Sequence, residues 1–322
     1  MNPKTIIATG GENSRLDKFL STILSDLSRT QIQKMIKDGL VLVDGQPSKA
    51  GWKLNGCETI VYTIPEIEPE IEHIEPENIP LDVLFEDDDI IAINKPPGLV
   101  VHPGVGQKSG TLVHALTYHF SQLSNVNGQL RPGIVHRLDQ NTSGVILVAK
   151  NNQAHADLAS QFEKRKIQKE YTGFTWGNWT APNGIIDGSI KRKRSDPTAY
   201  EVNESGRHAL TQYQVEVDGS VLSQISFFPK TGRTHQLRVH AASMHHPIFG
   251  DDKYGGGVKR TKGFVPEITK VLTQLLKKIN RHALHARKIT FQHPSTQEEV
   301  AVSAPIPEDL TLIIQAMHLL NG

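Results

Sequence analysis

The sequence predicts an α+β protein in two parts: a small α+β unit, then a larger domain built on a mixed, mostly antiparallel sheet flanked by helices and loops. Three observations carry this. Short apolar runs of strand composition recur after residue 81, separated by short turns. Helical stripes are interspersed among them without regular strand–helix–strand alternation, which argues against a parallel, doubly wound sheet. Between the parts lies an acidic, proline-punctuated stretch that sustains neither period.

Residues 1–13 read as a polar N-terminal tail. Residues 14–62 follow as a compact unit. Leu16, Phe19, Leu20, Ile23 and Leu24 recur at helical spacing and make one apolar stripe. Ser28 is placed to cap a second helix that turns Ile32, Met35 and Ile36 inward and stops at Gly39. "LVLVDGQPSK" then reads as a strand entering an Asp44-Gly45 turn, with "ETIVYTI" as a later strand. Arg15, Lys18, Arg29, Lys34 and Lys37 fall mostly off the apolar stripes, with Lys49 and Lys53 in the following loop. A helix–helix–hairpin unit with a basic outer face suits RNA. Residues 63–80, with prolines at 65, 69, 76 and 80 and glutamate at nearly every second position, read as an extended linker.

From residue 81 the predicted elements run in order. "DIIAIN" is a strand closed by the turn Lys95-Pro96-Pro97-Gly98, "TLVHALTYHF" a helix, and "GVILVAK" a buried strand. Residues 151–165 make an amphipathic helix with Ala154, Leu158 and Phe162 inward. Strands follow at "EYTGFTWG", "LTQYQVEV" and "VLSQISFFP", then a helix over "THQLRVHAAS" opened by Thr234. The strands "KITFQHP" and "EEVAVSA" and a helix near 310–320 complete the chain.

Composition limits the function classes. No apolar run in the 322 residues approaches the roughly 20 needed to span a bilayer. The N-terminus has no apolar core before a small-residue cleavage site, so no signal peptide is read. The single cysteine, Cys57, excludes an internal disulfide framework and a multi-cysteine zinc site, and the cytoplasm is the default compartment. The net charge of +1 hides a segregation. Residues 66–89 hold 11 acids and no lysine or arginine, leaving 23 acids against 35 bases, +12, on the remainder. Basic runs at 164–169, 191–194 and 259–262 favour a polyanionic partner, with nucleic acid the natural one.

Three segments gather reactive side chains at turns: "HRLDQNTSG" (136–144), "QKEYTGF" (168–174) and "KTGRTHQLRVH" (230–240). Locally each also has an ordinary reading. Asp139 suits a turn in which its carboxylate bonds the backbone of Asn141 or Thr142. Tyr171 suits a packed strand aromatic, and Arg233 and Arg238 suit solvated or phosphate-contacting positions. "GVGQKSG" (104–110) lacks the spacing of a phosphate-binding loop, and the 15 histidines contain no His-Glu-x-x-His pattern, so neither a nucleotide cofactor nor a metal is expected.

Two resemblances organise these residues. Residues 14–60, with "RLDKFL", "SRTQIQKMIKDG" and "VLVDG", resemble the S-four-type RNA-binding domain. From about residue 81 onward the chain resembles the RluA/RluD-type pseudouridine synthases. The residues that carry this are "INKPPGLVVHPG", "GIVHRLDQNTSGVILVAK", "KEYTGF", "TGRTHQLRVHAASMHHPIFGDDKYGG" and "RHALHARKITFQHP". The second resemblance implies isomerisation of uridine to pseudouridine in RNA. That reaction breaks the glycosidic bond, turns the uracil and rejoins it through carbon 5. Atoms are neither gained nor lost, so no cofactor, metal or second substrate is required.

The resemblance places the catalytic carboxylate on Asp139, acting as a nucleophile at the ribose or as the base that removes a ribose proton. In a dry pocket a carboxylate tends to protonate and needs a cation beside it, for which Arg238 is the first choice and Arg233 the second. Tyr171 is implied to stack on the uracil and assist proton removal from carbon 5. Arg137 is implied to hold the target base out of its helix, with Leu138 backing the pocket. His136, Arg233, His235, Gln236 and Lys95 are expected to bind or position RNA, together with Arg15, Lys18, Arg29, Lys34 and Lys37 of the first unit. The expected substrate is large-subunit ribosomal RNA, acted on by a monomer with no membrane partner. The alternatives are transfer RNA, a non-catalytic ribosome-assembly factor and a histidine-based metal hydrolase. Residues 189–215 depart most from the family pattern, which bears on substrate choice.

Overall fold

The computed structural model describes residues 3–24, 27, 29–64, 74–104, 106–128 and 130–320. The chain divides into two units, Met1–Glu72 and His73–Gly322. The first unit comprises β1 (Lys4–Ile7), α1 (Leu16–Ile23), α2 (Arg29–Lys37), β2 (Val41–Val43), β3 (Gln46–Pro47) and β4 (Thr59–Tyr62). Its sheet runs β1-β4-β2-β3. Leu16, Leu20, Ile32, Met35, Val41 and Ile60 meet in one core, each buried aliphatic side chain stabilising by about 1.5–3 kcal/mol. Asp44 and Gly45 both adopt positive φ, 50° and 77°, the two-residue hairpin geometry that Asp-Gly favours.

Three expectations change here. The first 13 residues are not only a tail: β1 pairs antiparallel with β4, Lys4 opposite Tyr62, and Ala8 is in the core. Ile23 is 43% exposed, and Leu24 after it packs against the core in its place. Ser28, the expected cap of α2, lies outside the described residues, as do residues 65–73 of the linker. The later half of that segment belongs to the second unit: Ile74 is buried against Ile91, Ile93 and Val113, and Glu77 Oε1 accepts the Gly110 N–H at 2.8 Å.

The second unit runs β5 (Val83–Glu86), β6 (Ile90–Lys95), α3 (Leu112–His119), β7 (Ser143–Ala149), α4 (Asn152–Glu163) and β8 (Gln168–Trp176). It continues with β9 (Asn183–Asp187), β10 (Ile190–Arg192), β11 (Tyr200–Val202), β12 (Leu210–Val217), β13 (Leu222–Pro229) and α5 (Gln236–Ser243). It ends with α6 (Pro266–Ile279), β14 (Leu284–Gln292), β15 (Glu299–Ser303) and α7 (Glu308–Leu320). Among the described residues the main sheet has nine strands in the order β5-β6-β7-β14-β8-β13-β12-β9, with β15 on β14. Within it only β7–β14 is parallel, in keeping with a mixed, mostly antiparallel sheet.

Register sets the stage for the site. Gly144 of β7 lies opposite Ala286 of β14, Ala286 opposite Tyr171 of β8, and Tyr171 opposite Phe227 of β13. One row therefore crosses four strands that are far apart in sequence. Gly144 has φ +111°, and a Cβ there would sit 2.1 Å from the Ala286 carbonyl oxygen, so only glycine permits this approach. Helix α6 is an element the sequence reading did not assign. It opens on Pro266 and closes on Asn280 in the left-handed region, with Leu272, Leu275 and Ile279 in the core.

Candidate active site

Asp139 stands four residues before β7. Its backbone carbonyl accepts the Thr142 N–H at 3.0 Å, so the main chain makes the turn and the carboxylate is left for another partner. That partner is Arg238: Nη1 donates to Asp139 Oδ2 at 3.1 Å, with the Asp139 side chain 18% exposed. Arg233 is not the partner; its Nε donates to the His208 carbonyl at 3.1 Å.

Two buried cations clamp the turn. Lys95 Nζ donates to the carbonyls of Pro96, Leu99 and Gln140 at 2.8, 2.9 and 2.9 Å. Arg281 Nη1 donates to the Asn141 carbonyl at 3.2 Å and pairs with Asp309. Lys95 is fully buried and burial pushes its ammonium down to about 7. All three of its donors are used inside the protein, so it organises the turn and does not reach RNA. That replaces the expectation drawn for it from the sequence.

Arg238 owes its position to a residue the sequence reading missed. Its Nε and Nη2 donate to the two Asp251 oxygens at 2.6 and 2.9 Å, leaving Nη1 for Asp139. Burial alone would lower the guanidinium pKa, but Asp251 and Asp139 outweigh it and raise it. No local spacing announces Asp251; it lies in the stretch "FGDDKYGG" without a pattern that marks a partner. Beneath the guanidinium lies the Tyr254 ring, 5.0 Å from centroid to the guanidinium carbon.

The helix carrying Arg238 starts later than expected. α5 begins at Gln236, and His235 before it sits at φ 57° in the left-handed region, so Thr234 does not open the helix. His235 Nε2 lies 3.9 Å from Asp139 Oδ2, and burial keeps its imidazole pKa low. Gln236, expected at the RNA, is spent internally. Its Oε1 accepts from Thr231 Oγ1 and the Arg233 N–H, and its Nε2 donates to the Leu210 carbonyl and Thr211 Oγ1. His136 is likewise turned to the scaffold: Nε2 accepts the Leu147 N–H at 2.8 Å, the ring packs on Phe162, and burial pushes it down to about 3.

The cleft around Asp139, of about 450 Å³, is lined by residues 135–139 and Thr142, by Phe162, Glu163 and Arg165 at the end of α4, by Lys169 and Tyr171 of β8, by 229–238 and by Leu284. Leu138 is buried behind it with Ile134 and Ile146. Tyr171 packs between two core clusters, and burial with the nearby Asp139 charge pushes its phenol well above the usual value. Arg137 is exposed at the rim. Lys169, two residues before Tyr171 and on the same face of β8, is a second cleft residue not anticipated. Burial and Lys230 lower its ammonium to about 8.

In the first unit, the basic candidates divide. Arg15 and Arg29, each about half exposed, both pair with buried Asp17, which also accepts from Gln33. Burial would raise the Asp17 carboxyl, but these donors hold it well below the usual range. Lys18, Lys34 and Lys37 are exposed, and their ammonium groups reach into solvent on long apolar stems. No three histidine, cysteine or acidic side chains among the described residues gather in a way that could hold a metal. No helix among the described residues is long and apolar enough to cross a membrane.

Comparison with known proteins identifies the family of each unit. Residues 89–243 match the RNA pseudouridylate synthase family model and residues 14–60 the S4 domain model. The uncharacterized RNA pseudouridine synthase YlyB of Bacillus subtilis is 39% identical over 99% of both chains. The ribosomal large subunit pseudouridine synthase D of Escherichia coli is 39% identical, covering 97% of this chain and 94% of its own length; that of Vibrio cholerae is 38% identical, over 94% and 91%. Human RNA pseudouridylate synthase domain containing 1 shares the fold, with TM-score 0.54 at 24% identity over 75% of this chain and 96% of its own. The near full-length match to relatives of this kind makes this chain a member of the RNA pseudouridine synthase family.

Proposed function

We propose that this protein isomerises uridines of large-subunit ribosomal RNA to pseudouridine, working as a monomer in a bacterial cytoplasm, with Asp139 as the carboxylate that acts on the ribose. The observation that carries the reading is the Asp139–Arg238 pair, 3.1 Å apart in a cleft of about 450 Å³. Arg238, doubly bonded to Asp251, supplies a fixed counter-charge, so the carboxylate is held in place before substrate arrives. Arg137 at the rim has an exposed planar guanidinium suited to the gap left by an extruded base, whose unstacking costs a few kcal/mol.

The reaction balances within one nucleotide. The bond from C1′ to N1 breaks, a bond from C1′ to C5 forms, C5 loses a proton and N1 gains one. Tyr171 enters as a neutral phenol because its pKa is raised. It takes the C5 proton only by passing its own onward, and Asp139 is the carboxylate nearby. The names of the bacterial relatives support ribosomal large-subunit RNA as the substrate. The S4-type unit, with exposed Lys18, Lys34 and Lys37, supports a large RNA on which two sites bind together.

The test uses RNA labelled with tritium at uridine C5, since rejoining through that carbon releases the label. Transcribed large-subunit RNA and bulk transfer RNA are offered separately to the purified protein. Release from the ribosomal transcript is expected. Release from transfer RNA alone would overturn the substrate, and no release from either would overturn the reaction.

A further inference from the structure

Strands β10 and β11 form a separate two-stranded hairpin in which Arg192 faces Tyr200. Its tip is basic and exposed at Arg192, Lys193 and Arg194, and the chemistry above does not use it. Its base is held. Ile190 packs with Ala209 and with Val239 of α5, and Tyr200 and Tyr254 close that small cluster. Val239 follows Arg238 directly, so the hairpin rests on the helical turn that presents the partner of Asp139.

Tyr254 is the joint between them. Its hydroxyl oxygen accepts the Tyr200 N–H at 3.0 Å and lies 2.7 Å from His235 Nδ1. Burial pushes the phenol up to about 12, so the hydroxyl keeps its proton and forms a neutral hydrogen bond with the ring nitrogen. The other ring nitrogen of His235, Nε2, lies 3.9 Å from Asp139 Oδ2, so the imidazole bridges the space between Tyr254 and the carboxylate. The same Tyr254 ring underlies the Arg238 guanidinium. On the hairpin side, Tyr200 meets His235 edge-on at 5.4 Å, and Arg192 lies over the Tyr200 ring at 5.8 Å. Lys253, beside Tyr254, adds a tie to the hairpin loop through the Thr198 hydroxyl at 2.6 Å.

We propose that Tyr254 is a positioning residue that couples the seating of the β10–β11 hairpin on RNA to the geometry of His235, Arg238 and Asp139. The hairpin thereby influences the rate of the chemical step as well as the affinity. This rests on the reaction assigned above. A docking loop without such a joint would change binding alone.

Single-turnover tritium release with protein in saturating excess over a large-subunit RNA transcript separates the two quantities, with affinity measured by filter binding. Tyr254→Phe keeps the ring and removes the hydroxyl. Its saturated rate is expected to fall about tenfold with affinity within about twofold of wild type. Arg192→Ala, at an exposed position, is expected to lower both affinity and saturated rate, and its effect on rate should shrink in the Tyr254→Phe background. A wild-type saturated rate for Tyr254→Phe, an Arg192→Ala variant changed in affinity only, or strictly additive rate losses would each overturn the coupling. The wild-type rate on the same transcript tests the reaction itself, so the two readings fail separately.

Discussion

At the scale of single residues, the site depends on charges that have one job each. Asp139 faces Arg238 with its side chain and makes its turn with its backbone. Asp139→Asn preserves size and the turn but removes the charge, so tritium release should fall by at least about three orders of magnitude. RNA binding by the same variant should remain. An Asn variant with more than a trace of turnover would remove Asp139 from the chemistry. Asp251 contacts no substrate in this reading, yet it holds Arg238 through two bonds while only 2% exposed. Asp251→Ala leaves that buried cation half-paired, which costs about 3–5 kcal/mol. Urea unfolding should register this loss, and turnover should fall about 100-fold as Arg238 loses its fixed position.

At the scale of elements, the site is a product of strand order. Asp139 precedes β7, Tyr171 lies on β8 and Arg238 is on α5 after β13; the order β7-β14-β8-β13 brings these segments, distant in sequence, into one sheet. Gly144 is where that arrangement is least forgiving, since the nearest neighbours of a new Cβ are backbone atoms of Ala286. Gly144→Ala should destabilise the second unit by about 3 kcal/mol, read by chemical denaturation; a neutral result would mean β7 and β14 can separate without cost. Much at this scale was legible beforehand. The inward residues Ala154 and Leu158 of α4 and the apolar run of β7 are buried as their periodicity implies. Helix α6 was legible too, from Pro266 and the spacing of Leu272, Leu275 and Ile279, but went unassigned. The start of α5 was not legible, because a histidine in the left-handed region carries no sequence signature.

At the scale of the whole molecule, titration and salt are the readable properties. Burial pushes His136 down to about 3 and His102 and His285 down to about 4, all below the ordinary 6.5. The unfolded chain therefore binds protons before the native one does, and stability rises with pH across that interval. Below about pH 6.5 stability should be lost progressively, the loss completing near pH 3 to 4. Lower urea midpoints at about pH 5 than at about pH 7.5 are expected; identical midpoints would mean these imidazoles are solvated in the native protein. In the first unit, Lys18, Lys34 and Lys37 stand exposed beside a buried Asp17 network that occupies Arg15 and Arg29. Replacing the three lysines with glutamate in the full chain should weaken RNA binding. The salt slope should drop by about one for each phosphate that these side chains no longer neutralise. An unchanged slope would mean this face does not meet RNA.

The sequence by itself determined the chemistry on offer: a carboxylate in "HRLD", an aromatic in "KEY" and arginines in "GRTHQLRVH", in a chain that gathers 11 of its 34 acids in one window without lysine or arginine. It also determined the division into a small basic unit and a large sheet domain, because hydrophobic period and proline placement are local properties. Only the tertiary structure decided which charge meets which. Arg238 faces Asp139 because Asp251, 13 residues further on, takes its other nitrogens, and Lys95 turns inward because carbonyls of its own turn and of the distant Asp139 turn converge on it. Pairings of this kind depend on strand register and loop closure across long stretches of chain, and no local pattern encodes which side chains those long-range contacts bring within hydrogen-bonding distance.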